Sequence, residues 1–445
     1  MKILKIIFRT LLFLALYFST EIAKAQNPIH PGIGLCDPQV RIYNNRAYLY
    51  ATHDSAFKSK GFVMNNWWIW SSVDLVTWKY ESTLRPEDTY YGRSSNQCWA
   101  TDAISGNGKY YFYFSRGSKE IGVVVSDSPT GPWKDLLGKP LISQSITPTE
   151  ARDPGILQTE DSTCYIIFGV WDFYIARLNP DLISLAETPR KIVLNQKYGP
   201  YGAGKTDDKP FLYKYNNKYY LSWGCYYSMA DNLYGPYIYK GSIIIKERTD
   251  TVFQNALTYD RHGSFFEFHN QSYFICNDQS FPGSNSHFRN SIISYIHYRD
   301  NGEIEPVFIT HNGVDQYNKT NLPIQAEDYS NASKIIKRQS PHGGFEVQNI
   351  HNGSILCYSS VRGLKKNTTV SFRISSFQKF GTVNVHSDGP NGPVLGKCKV
   401  SGSGGWDIYK TIKCKLKNKP GDTNICLVFR GNSEEFLRLD WLDFK

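Results

Sequence analysis

Short apolar runs, each opened by a turn signal and rich in Tyr or Phe, recur along the first two thirds of the chain. They are Asn45–Tyr50, Gly108–Tyr113, Ser162–Ile167, Asn217–Ser222 and Gln271–Cys276. Aromatic and β-branched residues in runs of this length predict strands. The tyrosines that align them, Tyr48, Tyr111, Tyr165, Tyr220 and Tyr273, lie 53 to 63 residues apart. An Asp-bearing turn follows each run in register: Ser72–Trp78, Ser126–Trp133, Asn179–Leu182, Ala230–Tyr237 and Asp300–Gly302. A repeat of this length, holding several short strands, predicts one four-stranded blade, and five in a row predict a five-bladed β-propeller. A β-sandwich with chance periodicity is the alternative. No segment sustains a 3.6-residue apolar period, which argues against a large helical or α/β domain.

The pattern stops near Val314, and after a polar stretch through Asn321 a second unit opens with Ile324–Tyr329. Its runs Thr369–Ile374 and Thr382–Val385 alternate cleanly, which predicts a β-sandwich of jelly-roll type. The expected organisation is all-β: a propeller over 26–319 and a sandwich over 320–445. Residues 1–25 read as a signal peptide, with basic Lys2, Lys5 and Arg9, an apolar Leu11–Phe18, and Ala23-Lys24-Ala25 as the cleavage site. The apolar stretch is too short to span a membrane. A secreted or periplasmic protein is therefore expected.

Composition sharpens this picture in three ways. Aromatic residues reach 15%; most should fill strand cores, while a few could pack against the apolar face of a sugar ring. The net charge is +10, and seven lysines lie between Lys397 and Lys419. No Arg-rich arm, zinc-finger spacing or RNA-binding signature accompanies them, so a solvated surface or an acidic polysaccharide ranks above nucleic acid. Nine cysteines leave at least one unpaired. Cys36, Cys98, Cys164, Cys225 and Cys276 read as buried small residues. Cys357, Cys398, Cys414 and Cys426 cluster late and could contain a disulfide, with the pairing left open.

Three acidic motifs fall just ahead of repeat strands: Cys36-Asp37-Pro38, Arg152-Asp153-Pro154-Gly155 and Asp207-Asp208-Lys209-Pro210. Innermost propeller strands line the central channel, so their starts converge. Proline should fix the entry and hold the residue before it extended. Inverting glycoside hydrolysis needs one carboxylate to activate water and one protonated acid for the leaving oxygen. A third carboxylate can raise the acid's pKa through like-charge repulsion. One Asp-Pro is an ordinary turn element; three at blade-matched positions favour a site.

On these motifs the chain resembles glycoside hydrolase family 43, the five-bladed propellers that include arabinofuranosidases, xylosidases and arabinanases. Trp99-Ala100-Thr101-Asp102, Asp208–Lys214, His262-Gly263-Ser264 and Arg289 carry the resemblance further. It implies Asp37 as general base, Asp153 as the residue that tunes and orients the acid, and Asp208 at the acid position. The family usually has Glu there; Asp is shorter by one methylene, so Asp207 is an alternative acid and Glu150 a weaker one. The resemblance also implies that His262 faces the channel and holds a hydrated ion, often calcium, or an ordered water. Arg289 would keep Asp37 ionised. Trp99, Trp171 and Trp223 are candidate sugar-stacking rings. Residues 324–445 resemble a carbohydrate-binding module of family 6, through Gln325–Tyr329, Gly404–Tyr409 and Leu439–Phe444. That likeness implies a structural calcium held by Glu327 and Asp440, and a sugar ring between Tyr358 and Tyr409. Arg438 stands where that family usually has a sugar-binding Asn. The expected activity is inverting release of terminal arabinofuranose or xylose from plant-type polysaccharides, by a monomer that needs no cofactor for the chemistry. A β-1,3-galactosidase-type activity or a catalytically weakened sugar-binding protein are the alternatives.

Overall fold

The computed structural model describes residues 27–197, 200–249, 262–280, 285–318, 323–378, 380–417 and 421–445. The expected signal peptide lies outside them. The five tyrosine-marked runs each form the second strand of a separate sheet: Arg46–Asp54, Lys109–Arg116, Cys164–Val170, Lys218–Trp223 and Gln271–Asp278. These sheets are blades 1 to 5. Their inner strands are Leu35–Tyr43, Cys98–Gly106, Gly155–Gln158, Phe211–Tyr215 and Gly263–Phe268.

Apolar residues face both sides of each blade because every blade must bury both faces. Five apolar clusters result, and each is shared by two adjacent blades. Tyr50, Trp67 and Ile69 of blade 1 meet Phe112 and Phe114 of blade 2. Tyr111 and Val123 of blade 2 meet Ile166 and Phe168 of blade 3. Ile167 and Phe173 of blade 3 meet Leu221 and Trp223 of blade 4. Phe211 and Tyr227 of blade 4 meet Phe274 and Ile292 of blade 5. The last cluster joins Phe266, Tyr273 and Ile275 of blade 5 to Leu35, Val40 and Leu49 of blade 1. The ring of contacts thus runs from the fifth blade to the first, and the chain is a five-bladed propeller followed by a sandwich.

The sandwich has two sheets around one core that includes Leu356, Phe372, Val385 and Leu427. Tyr317–Asn318, just ahead of the expected boundary, already pairs with the sandwich strand Ile355–Leu364. Two disulfides, Cys357–Cys426 and Cys398–Cys414, resolve the open pairing. The five remaining cysteines are buried in the blades, outside these disulfides. The sandwich rests on blade 5: Gln271 Nε2 donates to the carbonyls of Glu327 (2.7 Å) and Tyr329 (3.1 Å). His297 Nε2 faces Asp328 Oδ1 at 2.9 Å. Among the described residues no helix is long and apolar enough to cross a membrane.

Candidate active site

The starts of the inner strands converge on a pocket of about 220 Å³ lined by Asp37, Asp153, Asp207, Asp208, His262 and Arg289, with Phe62 and Trp99 at its wall. That is smaller than the roughly 300–1,000 Å³ of sites for drug-sized ligands and suits one sugar ring.

The backbone at these starts differs from the sequence expectation. Asp37, Asp153 and Lys209, each directly before a proline, are not extended but left-handed, with φ of 48°, 59° and 53°. A register shift between Cys36 and Gln39 shows the cause in blade 1: a bulge that turns the strand entry. A left-handed non-glycine residue costs about 1–3 kcal/mol and persists only where its surroundings over-determine it. Here those surroundings are hydrogen bonds from neighbouring blades. Asp37 N donates to Asn277 Oδ1 (2.7 Å) and Asp153 N to Ser115 Oγ (2.7 Å).

Asp37 is buried, and five contacts orient its two oxygens. Oδ1 accepts from Asn277 Nδ2 (2.7 Å) and Arg289 Nη1 (2.9 Å) and faces His262 Nδ1 (3.1 Å). Oδ2 accepts from Thr52 Oγ1 (2.8 Å) and Arg289 Nη2 (3.2 Å). Burial alone would push this carboxyl up, but the Arg289 charge and the bonds from His262 and Asn277 outweigh it and hold Asp37 far below the usual carboxylate range. Arg289 is in turn clamped by Asp54, through its Nε (3.0 Å) and Nη2 (3.1 Å). The sequence reading found Asp37 and Arg289 but missed Thr52, Asp54 and Asn277. The signal for them was positional: they end the second strands of blades 1 and 5, beside the channel.

The other carboxyls split. Asp208 faces His262 Nε2 through Oδ1 and Arg152 Nη2 through Oδ2 (3.3 Å). Burial works against its ionisation, but the His262 and Arg152 charges prevail and bring it to about 2. These charges favour the ionised form at the position expected to hold the proton donor. Asp153 lies the other way: burial pushes it up, and with the charge of Asp208 this outweighs Arg152, leaving it at about 6. Asp207 is also raised, by burial and then by Asp208, against a 2.8 Å bond from Tyr201. Glu150 pairs with Arg152 at 3.0 Å and faces the solvent side.

A raised carboxyl opposes folding once it ionises. The folded state holds the Asp153 proton more tightly than the unfolded chain, so stability falls as pH rises from about 4 towards about 6. Asp153→Asn, which mimics the protonated form, should raise stability at pH 7 by on the order of 1–3 kcal/mol. The gain should vanish below about pH 4, and urea unfolding at both pH values checks it.

The aromatic candidates separate by burial. Trp99 lines the pocket, with Arg152 over its ring at 5.3 Å. Trp171 is 50% exposed and stands 5.8 Å from Tyr201 at the Asp207 side of the site. Trp223 is fully buried between Phe173 and Tyr239, so it is blade core and not a sugar platform. Phe62, unremarked in the sequence, faces the pocket with Arg289 4.8 Å from its ring centre.

His262 does not fit a hydrated metal. One ring nitrogen faces Asp37 and the other faces Asp208, so both are committed to carboxylates. Among the described residues no three His, Cys, Asp or Glu side chains group as a metal site.

In the sandwich, Tyr358 is fully buried, and its hydroxyl donates to Ala326 O at 3.0 Å. It shares the inward phase of Leu356 and cannot stack on a sugar. Tyr409 is half-buried: its hydroxyl donates to Glu346, and Arg373 lies 4.2 Å from its ring centre. Arg438 lies 4.6 Å over Trp406 and is held by Glu435 at 3.2 Å. Glu327 is buried, and among the described residues its Oε2 has no hydrogen-bond partner. Burial, then the charges of Asp328 and Asp440, push it well above the usual carboxylate range. Asp440 itself is paired with Arg373.

Comparison with known proteins agrees with this geometry. The profile of Glycosyl hydrolases family 43 matches residues 25–304, and that of Carbohydrate binding module (family 6) matches residues 325–445. The chain is 26% identical to an arabinoxylan arabinofuranohydrolase of Paenibacillus polymyxa, over 92% of this chain and 72% of that protein. A second arabinoxylan arabinofuranohydrolase, of Bacillus subtilis strain 168, is also 26% identical, over 93% of this chain and 91% of its own length. A solved family 43 arabinoxylan arabinofuranohydrolase from Bacillus subtilis, in complex with cellotetraose, shares the fold. Its TM-score is 0.57 at 22% identity, over 95% of this chain and 98% of the other. An acidic pocket where five blades converge, followed by a sugar-binding type of sandwich, makes this chain a glycoside hydrolase that belongs to glycosyl hydrolase family 43.

Proposed function

We propose that this enzyme removes single terminal α-L-arabinofuranosyl or β-D-xylosyl residues from xylan-type polysaccharides with inversion, outside the cytoplasm. The observation that carries the reading is the division of charge in one small pocket. Asp37 is held as an anion, while Asp207 and Asp153 of the same pocket are pushed towards the protonated form. The substrate class is supported by the arabinoxylan arabinofuranohydrolases among its relatives. Export is supported by two disulfides in the sandwich, which form in oxidising compartments.

In this mechanism Asp37 takes a proton from the attacking water. Arg289 and Asn277 orient Asp37 and keep it charged. Asp207 donates the proton to the departing glycosidic oxygen. Asp208, ionised between His262 and Arg152, supplies the negative charge that keeps the proton on Asp207. Asp153 and Asp208 couple the two walls, since each carboxylate makes the next harder to ionise. A second reading keeps Asp208 as donor. One imidazole bridges it to Asp37, a span on the order of 7 Å, within the roughly 6.5–9.5 Å of inverting pairs. No cofactor takes part in the chemistry. In the sandwich, Glu327 with its unpartnered oxygen, near Asp440, is the candidate calcium ligand. A cation there would offset buried negative charge and stiffen the domain.

Assays on aryl α-L-arabinofuranoside, β-D-xyloside and β-D-galactoside test the substrate. The first sugar seen by NMR should have inverted anomeric configuration. Retention would sink the mechanism. Binding of xylan-type glycans without turnover of any would instead make the protein a sugar-binding one.

A further inference from the structure

We propose that the ammonium of Lys209 is the resident cation of the propeller axis, standing where a divalent ion would otherwise sit, so that the hydrolytic site works without a bound metal. Lys209 occupies, in blade 4, the pre-proline position that Asp37 and Asp153 occupy in blades 1 and 3. It is 1% exposed. Its backbone N–H donates to Asp153 Oδ2 at 3.2 Å. Its Nζ donates to Thr101 O of blade 2 and Pro154 O of blade 3, both at 3.2 Å. One side chain therefore ties three blades at their common centre.

The oxygens that Nζ bonds are main-chain carbonyls, a ligand type that a hard divalent cation also takes. Burial works against the ammonium and lowers its pKa, while Asp102 of blade 2, Asp153 of blade 3 and Asp37 of blade 1 favour the charged form and Arg41 opposes it. Asp102 is already matched by Arg41, at 3.0 and 2.5 Å, and Asp37 by Arg289. Asp153 has a longer ion pair, with Arg152 Nε at 4.0 Å. Asp208 and His262, which line the same pocket as Asp153, pair with each other. Lys209 adds to the positive charge of Arg152 in balancing Asp153. A divalent ion added at the same place would meet a buried positive charge and be repelled by it. The His262 nitrogens, both committed to carboxylates, offer such an ion no compensating contact. Lys209 does not touch the reacting atoms; it is a positioning residue that acts through Asp153.

The test uses the full-length protein, with Glu327→Gln as a second background to remove the candidate sandwich site. Calcium titration of Glu327→Gln by calorimetry should show no binding. Wild-type kcat should stay within about twofold after EDTA and after added calcium. Lys209→Met keeps the stem and removes the charge. Its kcat should fall roughly tenfold or more, and the limb of the pH–rate profile near 6 should move to higher pH, because Asp153 loses one of the cations that favour its ionised form. Three results would overturn the proposal: calcium binding in Glu327→Gln, EDTA inactivation reversed by calcium, or a wild-type kcat and pH profile in Lys209→Met. If Lys209→Met does not fold, the calorimetric and EDTA arms still decide. The calorimetric arm needs no turnover, so it also stands if the substrate assignment fails.

Discussion

Asp37→Asn should lose about 10²–10⁴-fold in kcat, the usual contribution of a positioned general base. The physical reason is that no other group in the pocket is so firmly anionic. Five donors converge on this one carboxyl, from Thr52, Asn277, His262 and two nitrogens of Arg289. An amide of the same shape cannot take the proton from water. KM should change little, since the sugar is also held by the pocket walls. Changing the leaving group should not restore the rate, because the base does not act on the departing oxygen. Activity within tenfold of wild type on every substrate would remove Asp37 from the mechanism.

The second large effect separates two adjacent carboxyls. Asp207→Asn should lose about 10²–10⁴-fold on glycans and on glycosides with basic leaving groups. It should approach wild type on a dinitrophenyl glycoside, whose leaving group departs without a proton. Asp208→Asn should behave differently. Removing its charge takes away a cause that holds Asp207 up, so the alkaline limb of the pH–rate profile should move to lower pH. Its loss of rate should not depend on the leaving group. The opposite pattern, with leaving-group dependence in Asp208→Asn alone, would make Asp208 the donor and overturn the assignment to Asp207.

How far these residues could be read in advance varied with the range of the interaction that places them. The blades were legible because a strand that buries both faces needs a dense aromatic run, and five such runs at near-equal spacing suit a ring of like sheets better than a single sandwich. Asp37 and Asp153 were legible because each precedes a proline at a strand start. The same register held Lys209, yet a lysine is ordinarily solvated, and nothing local says that three blades will close over this one. Tyr358 was misread although a signal was present: it shares the phase of Leu356 in an alternating strand, and that phase is the inner one. Trp223 carried no such signal, because both faces of its strand are covered. The disulfides depended on which strands became neighbours; Cys357 and Cys426 are paired across two strands 69 residues apart.

The amino-acid order by itself determined the repeat, the two-part organisation and the position of the acidic motifs, since each follows from local periodicity and turn chemistry. Only the tertiary structure decided which acid is charged. That depends on burial and on Arg152, His262, Arg289 and Lys209, groups brought from separate blades to within a few ångströms. Coulomb interaction and desolvation are set by distance in space, and separation along the chain does not encode them.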